Sequence, residues 1–187
     1  WTLSSAGARA YQELLQGTPT SIPESLRPTL DDPLIIIFTS GTTGRPKGAV
    51  ITHRNTFAIA RNSAEIWGVT VADKALSYLP ISHVGGTHDQ IAIILYAGCT
   101  GILMPSFSPK EMLEKMAEET VTFSGGVPTI YRLIFLHCNV KDYDLSSVRL
   151  LVISGEPSPT ELIDEIHEKF PNAILSSSFG MSETAGF

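Results

Sequence analysis

The chain has 187 residues, a net charge of −6, 43% hydrophobic residues and 17% charged residues. That is a globular composition, long enough to bury a core without disulfides or metals, and it suits one domain or one and a part. An acidic balance with no basic run argues against nucleic acid or an anionic membrane as the main partner, and no stretch approaches the ~20 apolar residues of a membrane span.

No signal peptide is visible, and a cytoplasmic protein is expected. The chain opens on Trp1 and stops at Thr184-Ala185-Gly186-Phe187. Both ends read as cut from a longer polypeptide. Cys99 and Cys138 have no metal-ligand spacing and read as reduced, buried thiols.

The first expected element is an amphipathic helix over residues 5–16, with Ala6, Ala10, Tyr11, Leu14 and Leu15 on one face and Gly17 ending it. Pro19, Pro23, Pro28 and Pro33 mark a surface linker over 17–33. This predicts an N-terminal helix and linker over 1–33 and a partial catalytic domain over 34–187.

From residue 34 strands and helices alternate. Leu34–Phe38 reads as a buried strand and Ala49–Thr52 as a short one. Asn55–Trp67 reads as a helix closed by Gly68, Ala75–Leu79 as a strand, Thr87–Tyr96 as a helix and Gly101–Met104 as a strand. Pro109 opens a helix over 110–119 and Pro128 one over 129–138, with the strand Val121–Phe123 between them. Leu150–Ile153 is a strand, Pro159 opens the helix 160–169, and Ala173–Ser177 is the last strand. The alternation predicts an α/β fold, a mostly parallel sheet with helices on both faces. In such sheets ligands bind where loops leave the C-terminal ends of strands. The loops 39–48, 80–88, 154–157 and 178–183 fall there.

The loop 39–48 reads Thr-Ser-Gly-Thr-Thr-Gly-Arg-Pro-Lys-Gly. Its glycines let the backbone approach a ligand closely. The hydroxyls of Thr39, Ser40, Thr42 and Thr43, with free N–H groups at Gly41 and Gly44, suit phosphate oxygens, and Lys47 adds a mobile cation. It is not a Walker loop, because Pro46 precedes Lys47 and Gly48 follows it. Nor is it the G-x-G-x-x-G of dinucleotide-binding sheets.

This segment resembles the phosphate-binding signature of the adenylate-forming superfamily: acyl-CoA synthetases, aryl-CoA ligases, luciferases and the adenylation domains of peptide synthetases. The resemblance runs from about residue 30 onward and covers less than half of a complete member. It implies part of the N-terminal domain of an adenylate-forming enzyme, most like a fatty-acyl-CoA synthetase, with ATP, Mg²⁺ and coenzyme A as its reaction partners.

Ser178-Phe179-Gly180-Met181-Ser182-Glu183 is similar to the family's aromatic-G-x-[S/T]-E motif. The resemblance implies that Phe179 stacks on adenine, Ser182 contacts the α-phosphate and Glu183 holds Mg²⁺, with Ser178, Gly180 and Met181 completing the nucleotide wall. Family members more often carry Tyr at the aromatic position. By the same resemblance Gly155, Glu156 and Pro157 form a wall of the adenine pocket, although many relatives have a small residue where Glu156 stands. His83 falls where the family lines the acyl site, while His88 reads as structural. Gly125 and Gly126 resemble a segment near the acyl pocket and are read as leaving room for a fatty chain.

The resemblance implies a carboxylate joined to AMP and then passed to a thiol, with Lys47, His83, Ser182 and Glu183 as the reacting set. The family's ribose-binding Asp and its mobile C-terminal domain would lie beyond residue 187, so the fragment alone is expected to be nearly inactive. An amino-acid activator carries an Asp just after the 78–83 strand. Here His83 stands there and Asp89 comes only further on, which disfavours amino acids. An aryl acid stays open as substrate, as does a non-catalytic nucleotide-binding module.

Overall fold

The computed structural model describes residues 21, 23–40 and 44–186. The helix expected over 5–16 and the loop residues Gly41, Thr42 and Thr43 lie outside them. The chain divides into two compact units, Trp1–Leu30 and Asp31–Phe187. In the first, the described part is a 3₁₀ turn at Glu24–Leu26, with Arg27 paired to Glu24 at 3.0 Å.

The second unit begins with an antiparallel hairpin, β1 (Pro33–Thr39) against β2 (Lys47–Thr52). Helix α1 (His53–Trp67) follows at once, capped by a reciprocal pair in which Thr52 Oγ1 accepts from the Asn55 N–H and Asn55 Oδ1 accepts from the Thr52 N–H. Next come β3 (Lys74–Ser77), a short helix α2 (Val84–Gly86), a π-helix (Thr87–Ala92) and α3 (Ile93–Ala97). The chain continues through β4 (Thr100–Leu103), α4 (Pro109–Glu118), β5 (Phe123–Gly126) and α5 (Pro128–His137). It ends with β6 (Leu150–Ile153), α6 (Thr160–Lys169) and β7 (Ile174–Ser177).

Strands β3 to β7 form a wholly parallel sheet in the order β4-β3-β5-β6-β7. Successive strand side chains point to opposite faces, and the core divides accordingly. Leu76, Leu151 and Ile153 pack with Met112, Leu113, Ile134 and Ile166 of α4, α5 and α6 on one face. Ala75, Phe123, Leu150 and Val152 pack with Ala64, Ile93 and Ile94 of α1 and α3 on the other. Strand β6 is buried throughout. A side chain such as Leu151 contributes roughly 1.5–3 kcal/mol by leaving water.

One expectation needs correcting. Leu34–Phe38 is not a buried strand. It lies in the separate hairpin, where Leu34, Ile36 and Phe38 are 46%, 54% and 72% exposed. A hairpin packed on one side buries alternate residues only, and those are Ile37 on β1 and Ile51 on β2. These two pack with Val84 and Ala185 in a small cluster of their own.

At the N-terminal edge of the sheet a polar knot ties the elements together. Asp73 Oδ1 accepts from Arg149 Nε at 2.8 Å and Thr122 Oγ1 at 2.6 Å, and its Oδ2 accepts from Arg149 Nη2 at 2.7 Å and the Thr70 N–H at 2.8 Å. Arg149 also donates to the Trp67 and Gly68 carbonyls.

Candidate active site

The opposite, C-terminal edge of the sheet is where loops leave β3, β5, β6 and β7. A cavity of about 550 Å³ opens there. The hairpin supplies Thr39, Ser40 and Lys47 to its walls, and the end of β5 supplies Gly125, Gly126 and Val127. Ser154 and Gly155 come from the turn after β6, and Gly180, Met181, Ser182 and Glu183 from the segment after β7. The segment after β3 adds Leu79, Pro80, His83 and Asp89.

Each wall has a local cause. Lys47 opens β2 directly across from Thr39, so the hairpin fixes its backbone at the cavity rim. Neither Lys47 nor Glu183 enters an ion pair among the described residues. Gly155 makes the turn out of β6 at φ +80°, a conformation that strains other residues. Beyond β7 the chain loops back on itself. Met181 and Gly186 exchange backbone hydrogen bonds at 3.1 and 3.2 Å around a 3₁₀ turn at Ser182–Thr184, and the Thr184 hydroxyl donates to the carbonyls of Met181 and Gly186. That closed loop holds Ser182 and Glu183 on the cavity wall.

His83 caps the N-terminus of α2. Its Nδ1 accepts from the Gly85 N–H at 3.0 Å, which leaves the ring proton on Nε2. The ring lines the cavity as a hydrogen-bond donor. His88, by contrast, is buried between Thr56 and Thr87, each 2.9 Å from a ring nitrogen, and burial lowers its pKa. The structural reading of His88 holds.

Some expected contacts lie off the cavity wall. Glu156 Oε2 accepts from Thr129 Oγ1 at 2.7 Å and from the Thr129 N–H at 3.3 Å. Its carboxylate therefore ties the β6 turn to the start of α5. Pro157, Ser178 and Gly44 do not line the cavity. The Ser178 N–H extends the β6–β7 ladder by donating to the Ile153 carbonyl. Phe179 is 83% exposed, beside Gly180 at the rim.

Two contributors were missed from sequence. Gln90, buried, accepts through Oε1 from Ser77 Oγ at 2.8 Å and from the Tyr78 and Leu79 N–H groups at 3.2 Å, and donates through Nε2 to the Gly125 carbonyl at 3.1 Å. It locks the exit of β3 to β5. A lone Gln ahead of the apolar run 91–97 was the available signal. Asp89 entered the sequence reading only as lying further on than an amino-acid activator's Asp, with no place in the site, yet it lines the cavity with His83. Burial pushes its carboxyl up to about 7.

The profile of the family described as AMP-binding enzyme matches residues 2–187. The chain belongs to the AMP-binding enzyme family. Among its relatives, the indoleacetate–CoA ligase of Aromatoleum aromaticum (strain DSM 19018 / LMG 30748 / EbN1) is 31% identical over 175 residues, covering 94% of this chain and 34% of that protein. A feruloyl-CoA synthase of an Amycolatopsis species is 34% identical over 163 residues, covering 87% of this chain and 33% of that protein. The N-terminal domain of FACL13 from Mycobacterium tuberculosis superposes with a TM-score of 0.83 at 27% identity, covering 94% of this chain and 43% of that one. The chain spans about a third of the length of the curated relatives it matches.

As part of the N-terminal domain of an AMP-binding enzyme, the chain brings a cation, hydroxyls and two carboxylates, Asp89 and Glu183, to a single cavity. That donor set fits Mg²⁺ held by one carboxylate together with a ligand's phosphates. Among the described residues no cluster of three or more His, Cys, Asp or Glu could hold a metal alone. No helix among the described residues is long and apolar enough to cross a membrane.

Proposed function

We propose that the full-length protein carrying this chain uses ATP to activate a carboxylic acid as an acyl-adenylate and then passes the acyl group to the thiol of coenzyme A. One observation carries the reading: Lys47, His83, Gly155 and the pair Ser182–Glu183, from four separate stretches of sequence, line the same cavity. In this reading Lys47 and the hydroxyls of Thr39 and Ser40, with Gly41, Thr42 and Thr43, hold the β- and γ-phosphates. Ser182 contacts the α-phosphate. Phe179 offers an exposed face to adenine at the rim, and the backbone turn at Gly155 forms the adjoining wall.

The substrate carboxylate oxygen attacks the α-phosphorus. A P–O bond to the acid forms, the bond to pyrophosphate breaks, and its electron pair leaves with pyrophosphate. The protein's work is positioning and charge neutralisation. Lys47 balances the charge that gathers on the departing pyrophosphate. The Nε2–H of His83 orients the carboxylate. Mg²⁺, when bound through Glu183, supplies further neutralisation of the phosphates. In the second step the thiol adds to the acyl carbonyl and AMP leaves.

The acid is the finer question. The argument for a fatty chain from Gly125 and Gly126 loses its footing, because the Tyr78 hydroxyl occupies the space beside Gly126. Two relatives are named for indoleacetate and ferulate, which favours an aryl acid here. The test is acid-dependent ATP–pyrophosphate exchange by the full-length protein over aryl, fatty and amino acids, followed by coenzyme A thioester formation. Aryl acids are expected to lead the panel. No exchange with any acid would leave a nucleotide-binding module without this chemistry.

A further inference from the structure

We infer that Asp89 receives a hydrogen-bond donor, a hydroxyl or an amine N–H, carried on the tail of the acid, so that the site selects acids bearing such a group. The inference rests on the proposed acid activation and specifies its substrate class.

Asp89 Oδ1 is buried and has no hydrogen-bond partner. It is the only buried carboxylate oxygen so placed among the described residues. A carboxylate in that state costs folding free energy, which a proton or an arriving donor offsets. Among the described residues none supplies that donor. His88 is engaged by Thr56 and Thr87, and both ends of the Gln90 amide are engaged by β3 and Gly125. Gly186 packs so close that a Cβ there would overlap Asp89 Oδ1, yet its N–H donates to the Met181 carbonyl instead. Asp89 itself lines the cavity, the space from which a ligand would approach its carboxylate.

The nucleotide is a poor source of the donor. Its phosphates are anionic and repel a carboxylate. Its base is assigned to the turns after β6 and β7, whereas Asp89 shares the segment after β3 with His83, the residue that orients the reacting carboxylate. A donor on the acid's far end meets both conditions. A hydroxyl and an ammonium or aniline N–H have the same chemistry toward the carboxylate, and an ammonium adds charge attraction.

The experiment uses the full-length protein and matched acids: phenylacetic against 4-hydroxyphenylacetic and 4-aminophenylacetic acid, and hexanoic against 6-aminohexanoic acid. The readout is the ratio of kcat/KM for ATP–pyrophosphate exchange within each set, with the Kd for Mg·ATP measured beside it. Wild type is expected to favour a donor-bearing member by about tenfold or more, since sites built around a buried polar group reject analogues that leave it unpaired. The hydroxyl and amine members distinguish the two donors. Asp89→Asn should shrink the ratio, and Asp89→Leu should bring it to about one or invert it, with little change in the Mg·ATP Kd.

Ratios that survive in the Asn variant, or in both variants, overturn the inference. So does a loss of Mg·ATP affinity that matches the loss of turnover, which would make the nucleotide the donor. If wild type activates acids without regard to the donor, the inference alone fails. If it activates none, the proposed function fails and takes the inference with it.

Discussion

The side chain missing at residue 126 is replaced by the end of another. The Tyr78 hydroxyl sits where a Cβ of Gly126 would go, and that hydroxyl is itself buried without a partner. Gly126→Ala should therefore cost about 2 kcal/mol in denaturant unfolding, as overpacked cores do. Tyr78→Phe alone should be close to neutral, because it removes an unsatisfied polar atom. Combined with Gly126→Ala it should recover most of the loss, and a double-mutant cycle reads the coupling. At the cavity, Lys47→Ala in the full-length protein should lower kcat for adenylation by about 10²-fold or more, the scale seen when a group that stabilises transition-state charge is removed. Phe179→Ala should weaken Mg·ATP binding while Phe179→Tyr leaves it near wild type, since only the ring face is required. Sequence motifs singled out Lys47, His83, Ser182 and Glu183, which line one cavity, because each falls in a distinctive run. They could not give Asp89, whose nearness to His83 depends on how the intervening helix winds.

That winding belongs to the scale of elements. Thr87–Ala92 is a π-helix, wider per turn than an α-helix and common at functional sites. It sends Asp89 to the cavity and Gln90 to the exit of β3. The Gln90 amide satisfies two backbone N–H groups and a carbonyl at once. Gln90→Leu should accordingly cost about 3 kcal/mol by leaving those groups buried and unpaired, read as a lowered denaturation midpoint. The regular elements were legible where pattern and punctuation agreed. Leu150–Ile153 and the helix after Pro159 begin and end where the sequence places them. Strand β5 was placed two residues early, at Val121–Phe123, because its real end runs through Gly125 and Gly126, which carry no strand preference. Leu34–Phe38 was misjudged because a short apolar run looks the same whether one face or both are covered.

For the whole molecule, the two edges of the sheet have divided roles. The edge away from the cavity is held by Asp73 and Arg149. Burial pushes the Asp73 carboxyl up, but hydrogen bonds from Arg149, Thr122 and the Thr70 N–H, with the charge of Arg149, outweigh it and bring the pKa down to about 2. A carboxyl depressed in the folded state adds stability above its unfolded value near 4, and that stability disappears as pH falls toward 2. Acid titration of unfolding should show a loss on the order of 2 kcal/mol across that window, absent in Asp73→Asn. The cavity edge is built differently. Among the described residues its hairpin wall joins the rest through a small apolar cluster, Ile37, Ile51, Val84 and Ala185 with Ile35 against them, whereas β6 is sealed on both faces. A nucleotide gripped between hairpin and sheet would thus act as mortar in a thin joint. In deuterium labelling of the full-length protein, saturating Mg·ATP should slow the amides of β2 far more than those of β6, which already open only when everything does.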